Sequence, residues 1–596
     1  MSGDRDVEVL HGISGSPGIA IGTAFVLGGQ LTRVPRRTVR EHEHEAEIER
    51  FRHATLRAKE ELRRLVATTR ERSTANAVLE AYAMMAEDPM LGDGVIERIR
   101  VESRCAEWAV VLTVQQFAQQ LGEADDPYLR ERSRDIEFVG EHLLRAFNET
   151  GEMRQIPAGQ VVLVAQDLSP ADAAGFVFVS GSPEARATSN VVAFVTEVGT
   201  RTSHTSITAR ALKLPAVVGV NDVCESITTG DLVIVDGLRG VVIARPTDED
   251  LEEARDRASR HRALADELHQ SRSLAATTQD GLTLAVRANV EIPEEAREAR
   301  EEGAEGIGLY RTEYLYIDRV HPPTEDEQLS AFRQVLEAMP DRPIVLRTFD
   351  IGGDKFASTF KMPVELNPML GLRAVRLALS RPEVFLEHLR AMVRASAYGD
   401  VRIMIPMVSS VAELRWAREM LDKAIEQVKA TGAPVADHIP LGVMVEVPSA
   451  AVLADHFARS AEFMSIGTND LIQYTLAVDR SSRRLAYLAS PFDPAIVRLV
   501  ERVVVAGARY DCPVSVCGAM AGDPLAALLL LGLGVREFSM EVSAIPEIRE
   551  TFRRVTLEET QRVAERVLEL DTAAEIERVV AEAFAMRLHD LISGAP

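Results

Sequence analysis

LGVMVEVPSA, residues 441–450, is an apolar run that ends on one carboxylate, Glu446; FMSIGTND, residues 463–470, repeats the pattern and ends on Asn469 and Asp470. Outward from these two, similar short runs occur at LAVRANV (284–290), GIGLY (306–310), PIVLRTF (343–349), RIMIPMV (402–408), CPVSVCG (512–518) and EFSM (537–540). Sequence of helical texture separates each from the next. Eight strand candidates alternating with helices over residues 275–545 have the number and spacing of a (β/α)8 TIM-type barrel. In that fold reactive side chains stand at the carboxyl ends of strands, and Arg311, Arg347, Glu446, Asn469, Asp470 and Cys517 all end or just follow a run. A strand-end arginine or glutamate is often half of a buried ion pair, and a lone cysteine is often a small core residue. Such residues on five different strands favour a site.

Their chemistry is specific. Two arginine forks facing one cavity match a carboxylate or phosphate ligand, and Arg373 and Arg480 would make that cavity strongly cationic. Glu446 and Asp470 are hard oxygen ligands of the kind Mg²⁺ takes while leaving positions for substrate oxygens; Mn²⁺ suits the same donors. A thiol such as Cys517 can donate a proton near neutral pH.

The N-terminal half has a different texture. HGISGSPGIAIGTAFVLGG (11–29) reads as strands and turns, and VVLVA, NVVAFVT, AVVGV, DLVIVDG and GVVIA return to short β-branched runs between residues 157 and 243. Between them, Ile48, Phe51, Leu56, Leu62 and Leu65, then Val78, Leu79, Tyr82 and Met85, then Trp108, Leu112 and Phe117 recur at helical spacing. The expected organisation is α/β multidomain: an α/β domain (1–30 and 152–246) with an all-helical bundle (36–150) inserted after a first strand, a linker helix (247–273) opened by a Thr247–Asp250 capping box, and the barrel (274–596). EVGTRTSHTSITARALKLPAVVGV places His204 among the hydroxyls of Thr202, Ser203, Thr205 and Ser206, just before a helical pattern. A helix N-terminus stabilises phosphate, and neutral imidazole is a competent phosphoryl nucleophile. One histidine of thirteen is usually an ordinary surface or core residue, and on spacing alone TSHTS is suggestive and no more.

Bulk properties exclude several classes. A net charge of −24 argues against a nucleic-acid partner, which needs a basic footprint. No run of about 18 uncharged apolar residues indicates a membrane span. MSGDRDVEVLHGISG has no secretory pattern, so the expected location is the cytoplasm. Four cysteines are too few for a disulfide framework in 596 residues.

Long, ordered motifs then carry a resemblance. GISGSPGIAIG, RTSHTSITARALKLPAVVG, GAEGIGLYRTEYLY, LRTFDIGGDK, NPMLGLRAVR, SIGTNDLIQYTLAVDR and SVCGAMAGD resemble enzyme I of the bacterial sugar phosphotransferase system along nearly the whole chain. The resemblance implies that His204 accepts a phosphoryl group from phosphoenolpyruvate. It implies that Arg311 and Arg347 hold that substrate with Asn469, Arg480, Arg373 and Lys355, that Glu446 and Asp470 bind Mg²⁺, and that Cys517 protonates the departing enolate to pyruvate. It further implies that the helical bundle, through Leu79, Tyr82, Met84 and Met85 beside Glu80, Glu87 and Asp88, docks the phosphocarrier protein HPr, and that the barrel forms a homodimer. Departures occur near the histidine: Gly199-Thr200 replaces paired glycines, Ala173 follows DLSPAD, and GFVFVSGSPEARATSN is long. Three rivals differ from this reading: a nucleotide-using dikinase or synthase, for which no room precedes His204; the nitrogen-regulatory variant, whose sensor domain has no counterpart; and a non-catalytic scaffold.

Overall fold

The computed structural model describes residues 7–27, 34–68, 82–122, 127–147, 159–168, 190–199, 203–316, 319, 321–352, 365–479 and 485–592. The chain divides into two compact units, residues 1–262 with 594–596, and residues 263–593.

In the first unit, β1 (Glu8–His11), β2 (Ile13–Ser16) and β3 (Ile19–Leu27) precede the helices, so three strands, not one, come before the insertion. Gly12 and the Pro17-Gly18 pair break the run, and Gly18 sits at φ +118, where a side chain would be strained. The strands β4 (Val161–Ala165), β5 (Val191–Thr196), β6 (Ala216–Val218), β7 (Leu232–Asp236) and β8 (Val241–Ala244) complete one mixed sheet, ordered β1-β8-β7-β3-β4-β5-β6-β2. β3, β4, β5 and β6 run parallel, and the flanking pairs are antiparallel. Every residue of β4 is buried, as expected of a strand covered on both faces.

The helices His44–Thr68, Pro89–Arg100, Ala106–Gly122 and Pro127–Ala146 form a separate hydrophobic core. On the first of them Ile48, Phe51, Ala54, Ala58 and Leu62 make the buried stripe. Leu56, expected on that stripe, is exposed: two alanines carry the packing face, and Leu56 lies on the opposite side. Leu79, Val78 and Glu80 lie outside the described residues.

The helix Asp248–Ser271 opens as the sequence predicts, with the Asp250 amide donating to the Thr247 hydroxyl at 3.2 Å and the Thr247 amide to the Asp250 carboxylate at 2.8 Å. Within the first unit its Leu251 and Ala254 pack with Ile19 and Ile234. Arg257 pairs with buried Asp236 at 2.7 Å.

In the second unit eight parallel strands close into a barrel: β10 (Thr283–Val290), β11 (Ile307–Arg311), β12 (Ile344–Arg347), β13 (Val401–Ile405), β14 (Leu441–Val445), β15 (Met464–Ile466), β16 (Val514–Val516) and β17 (Glu537–Glu541), with β17 returning to β10. The short β9 (Ala276–Thr277) pairs antiparallel with β10. All eight strands coincide with the eight apolar runs. Alternation along each strand sorts its side chains. Ile344, Leu346, Val443 and Val445 join the large core shared with the helices, whereas Leu309, Val345, Met404, Met444 and Phe463 form a second, smaller cluster that also holds Cys517. The same alternation puts Arg347 on the face of Val345, and Glu446 on the face of Met444.

Candidate active site

Arg347, the last residue of β12, is buried and pairs with two carboxylates: Glu313, in the turn after β11, and Asp350, at 3.3 Å. Asp350 also receives a two-pronged bond from Arg373, Nε to Oδ1 at 2.7 Å and Nη2 to Oδ2 at 2.8 Å. Arg373 reaches on to Asp470 at 3.4 Å and to the Tyr474 hydroxyl at 3.0 Å. Arg311, at the end of β11, pairs with Glu291. The sequence-predicted residues thus come together through carboxylates that sequence reasoning passed over. Glu313 and Asp350 lie inside the LYRTEYLY and LRTFDIGGDK runs, so the motifs themselves were the available signal.

Glu446 follows β14, is buried, and accepts a hydrogen bond from the Met407 amide at 2.6 Å. Burial above all, then the negative charges of Asp470 and Asp350, pushes its carboxyl up to about 8, against the pull of Arg347 and Arg373. Among the described residues three arginines (311, 347 and 373) face five carboxylates (291, 313, 350, 446 and 470), so the strongly cationic cavity expected from sequence is not what this part of the site presents. Each arginine is held in place by acid, and the carboxylates crowd one another. A divalent cation between Glu446 and Asp470 would relieve that crowding, and two carboxylates with open positions are what Mg²⁺ takes. Among the described residues no three or more His, Cys, Asp or Glu side chains form a ready-made cage. The donor set fits a cation completed by substrate oxygens.

Cys517 follows β16 and is buried, its sulfur 3.7 Å from the Ile466 carbonyl oxygen. Burial raises the thiol to about 11; a Ser465 hydrogen bond and the charges of Arg347 and Arg311 only partly oppose this. The group is therefore protonated at neutral pH. Its loop is fixed from β10, from β17 and from the helix Thr468–Leu476 that follows β15. Asn289 donates to the Cys517 carbonyl at 3.0 Å, Ser539 donates to Asn289 at 2.6 Å, and the Ala519 amide donates to Asn469 Oδ1 at 2.9 Å. A Cβ on Gly518 would lie 1.9 Å from Thr468 Oγ1, so only glycine permits this approach.

His204 lies in the other unit, as the first residue of the helix His204–Leu212, whose N-cap is Ser203. The N-terminal end of a helix favours an anion beside it; here the Ser206 amide donates to the Ser203 side chain at 3.5 Å. The neighbouring hydroxyls are used differently from the sequence expectation: Thr205 and Ser206 are buried, Thr205 donating to the Leu168 carbonyl at 3.1 Å and Ser206 lying 3.2 Å from the Ser203 hydroxyl. Gly199 has φ +138 and would place a Cβ 3.0 Å from Val218, so one glycine of this segment is sterically required. Thr200, Thr202, Ala173 and the GFVFVSGSPEARATS part of the long stretch lie outside the described residues, as do Arg480 and Lys355.

Comparison with known proteins extends this geometry over the chain. Residues 265–557 match the family described as PEP-utilising enzyme, PEP-binding domain; residues 11–132 match its N-terminal region and 157–240 its mobile domain. Fold and matches together define a phosphoenolpyruvate-utilising enzyme. The chain is 41% identical over 584 residues to the phosphoenolpyruvate-protein phosphotransferase of Geobacillus stearothermophilus, covering 97% of this chain and 99% of the relative. It is 39% identical over 578 residues to that of Staphylococcus carnosus (96% and 98% covered) and 38% over 589 residues to that of Bacillus subtilis (97% and 100%). The chain belongs to the phosphoenolpyruvate-protein phosphotransferase family, the enzyme I family whose motifs it carries.

Proposed function

We propose that the chain is the general phosphotransferase of a sugar phosphotransferase system, taking the phosphoryl group of phosphoenolpyruvate onto His204, passing it to a histidine of the phosphocarrier HPr, and releasing pyruvate. The observation that carries this reading is the buried constellation of acid-anchored arginines, paired carboxylates and a protonated thiol at the strand ends of the barrel. Arg311 and Arg347 would bind the substrate's phosphate and carboxylate, and anchoring by Glu291, Glu313 and Asp350 would spare them the cost of ordering on binding. Arg373, Asn469, Arg480 and Lys355 would add contacts. Glu446 and Asp470 would hold Mg²⁺, which would neutralise charge on the transferring phosphoryl group. The bond from phosphorus to the enol oxygen breaks as one from phosphorus to an imidazole nitrogen of His204 forms. The enolate left behind takes the Cys517 proton at its methylene carbon and becomes pyruvate, and the thiolate regains a proton from solvent.

The proposed domains are the α/β domain (1–30, 152–246) carrying His204, the HPr-binding bundle (36–150), the linker helix (247–273) and the barrel (274–596). The α/β domain would swing between barrel and carrier. Met84 and Met90 are exposed beside Glu87 and Asp88, which supports an acid-rimmed apolar patch for a basic carrier surface. Tyr82 does not belong to that patch, because it is buried with its hydroxyl on Asp135 at 3.1 Å. The proposed homodimer would form through the barrel. Among the described residues no helix is long and apolar enough to cross a membrane, and the proposed location is the cytoplasm.

The test combines the protein, phosphoenolpyruvate, Mg²⁺ and purified HPr. Pyruvate and acid-labile phosphate on HPr in equal amounts, both lost in His204→Ala, are expected. Pyruvate formation with no phosphate on the carrier would overturn the transfer.

A further inference from the structure

His388, on the helix Pro382–Ala395, is fully buried among aromatic rings yet is wired into the backbone that carries the site. Its ring lies against Phe349, with centroids 5.1 Å apart, and against Tyr316 and Phe332. Nδ1 is 2.6 Å from Gln328 Oε1, and the Gln328 amide group is itself oriented by donation to the Pro323 carbonyl at 2.9 Å. The oxygen can only accept, so Nδ1 carries the proton. Nε2 is then the acceptor, and the Phe349 backbone amide donates to it at 3.3 Å. The Thr312 hydroxyl stands 3.2 Å from the same nitrogen and donates to the Arg347 carbonyl at 2.7 Å.

Thr312 directly follows Arg311, and Phe349 stands two residues beyond Arg347. The Thr312 hydroxyl thus joins the turn after β11 directly to the end of β12, and the imidazole holds the turn after β12 through the Phe349 amide while packing against Thr312, behind the two arginines. The turn after β12 does not satisfy the Phe349 amide itself, because that amide lies beyond the last β12 residue and finds its acceptor in the His388 ring. A phenylalanine would fill the space and a lysine or arginine would not fit it. A ring with a donor for Gln328 and an acceptor for the Phe349 amide meets both needs.

We infer that His388 is a positioning residue for substrate binding, fixed in its Nδ1–H tautomer by Gln328 and holding the turn after β12, beside the Thr312 tie from β11, so that Arg347 converges with Arg311 on one anion. The inference rests on the proposal that these arginines bind phosphoenolpyruvate. Burial keeps the ring neutral, its pKa lowered to about 3, so the arrangement persists through physiological pH.

Three measurements on the full-length protein test it. Nitrogen-15 NMR of histidine-labelled wild type is expected to show one ring held as the Nδ1–H tautomer from pH 6 to 8. Assignment of His388 to the Nε2–H tautomer or to the imidazolium in that range would overturn the inference without any variant. His388→Phe keeps the volume and removes both hydrogen bonds; it is expected to raise KM for phosphoenolpyruvate about tenfold with kcat for pyruvate release within about twofold, because the lost contact serves ground state and transition state alike. His388→Gln, which returns an oxygen acceptor near the Phe349 amide, is expected to recover most of that KM even where melting temperature stays lowered. A melting temperature that falls in both variants while both keep the wild-type KM would reduce His388 to a core filler. Arg347→Ala separates the two levels. If it too leaves KM unchanged, the substrate assignment fails; if it raises KM and His388→Phe does not, only the positioning role fails.

Discussion

Cys517 is asked to give a proton from a place that holds the proton tightly. Its thiol is raised to about 11, so the acid form is complete at pH 7 and is lost only as pH climbs through that value. Two outcomes are expected. Iodoacetamide should alkylate Cys517 far more slowly at pH 8 than a free cysteine, measured by peptide mass. Cys517→Ala should lower the rate of pyruvate formation by about 10²-fold or more, the usual contribution of a positioned general acid. Arg347 supplies a second residue-scale case. Glu313→Gln or Asp350→Asn removes one partner from a buried charge, and breaking such a pair costs about 3–5 kcal/mol. Urea unfolding of the barrel should show this loss, together with weaker phosphoenolpyruvate binding. Neither carboxylate was legible as functional, because an acid inside an arginine motif looks like ordinary charge until the fold turns it toward the arginine.

At the scale of elements, the barrel strands were readable because each is a short apolar run whose length and spacing leave one interpretation. The strand ends were equally readable, since Arg311, Arg347, Glu446 and Cys517 interrupt those runs where the β-pattern stops. What sequence could not give is which long-range partner fixes each end: His388 stands 76 residues from Thr312 and Asn289 stands 228 from Cys517. The loop after β16 shows how tight that fixing is. Gly518→Ala would push a methyl into Thr468, and a displacement of about 1 Å at a reacting group can cost about 10²-fold in rate. A folded barrel by circular dichroism with strongly reduced kcat is the expected result. The helical bundle was less legible, because alanines at 54 and 58 define its buried face and leave Leu56 outside. Leu56→Gln should change stability by no more than about 0.5 kcal/mol, whereas Phe51→Ala should cost about 3–5 kcal/mol by thermal melting.

On the scale of the whole molecule, charge organises the account. The chain carries −24 overall, and the described part of its site holds more carboxylates than arginines, yet its proposed substrate is itself an anion. Arginines alone do not resolve that conflict; a cation held by Glu446 and Asp470, as proposed, would. Removing divalent ions with EDTA should therefore abolish phosphoenolpyruvate binding as well as turnover, and added Mg²⁺ should restore both. His204 resides in a different compact unit from this site, so the proposed phosphoryl transfer would draw on residues of both units. The most direct measurement is the intact mass of the purified protein after phosphoenolpyruvate and Mg²⁺, with His204→Ala beside it. The account predicts a gain of one acid-labile phosphoryl group in the wild type and none in the variant. An unchanged wild-type mass, or the same gain in His204→Ala, would contradict it.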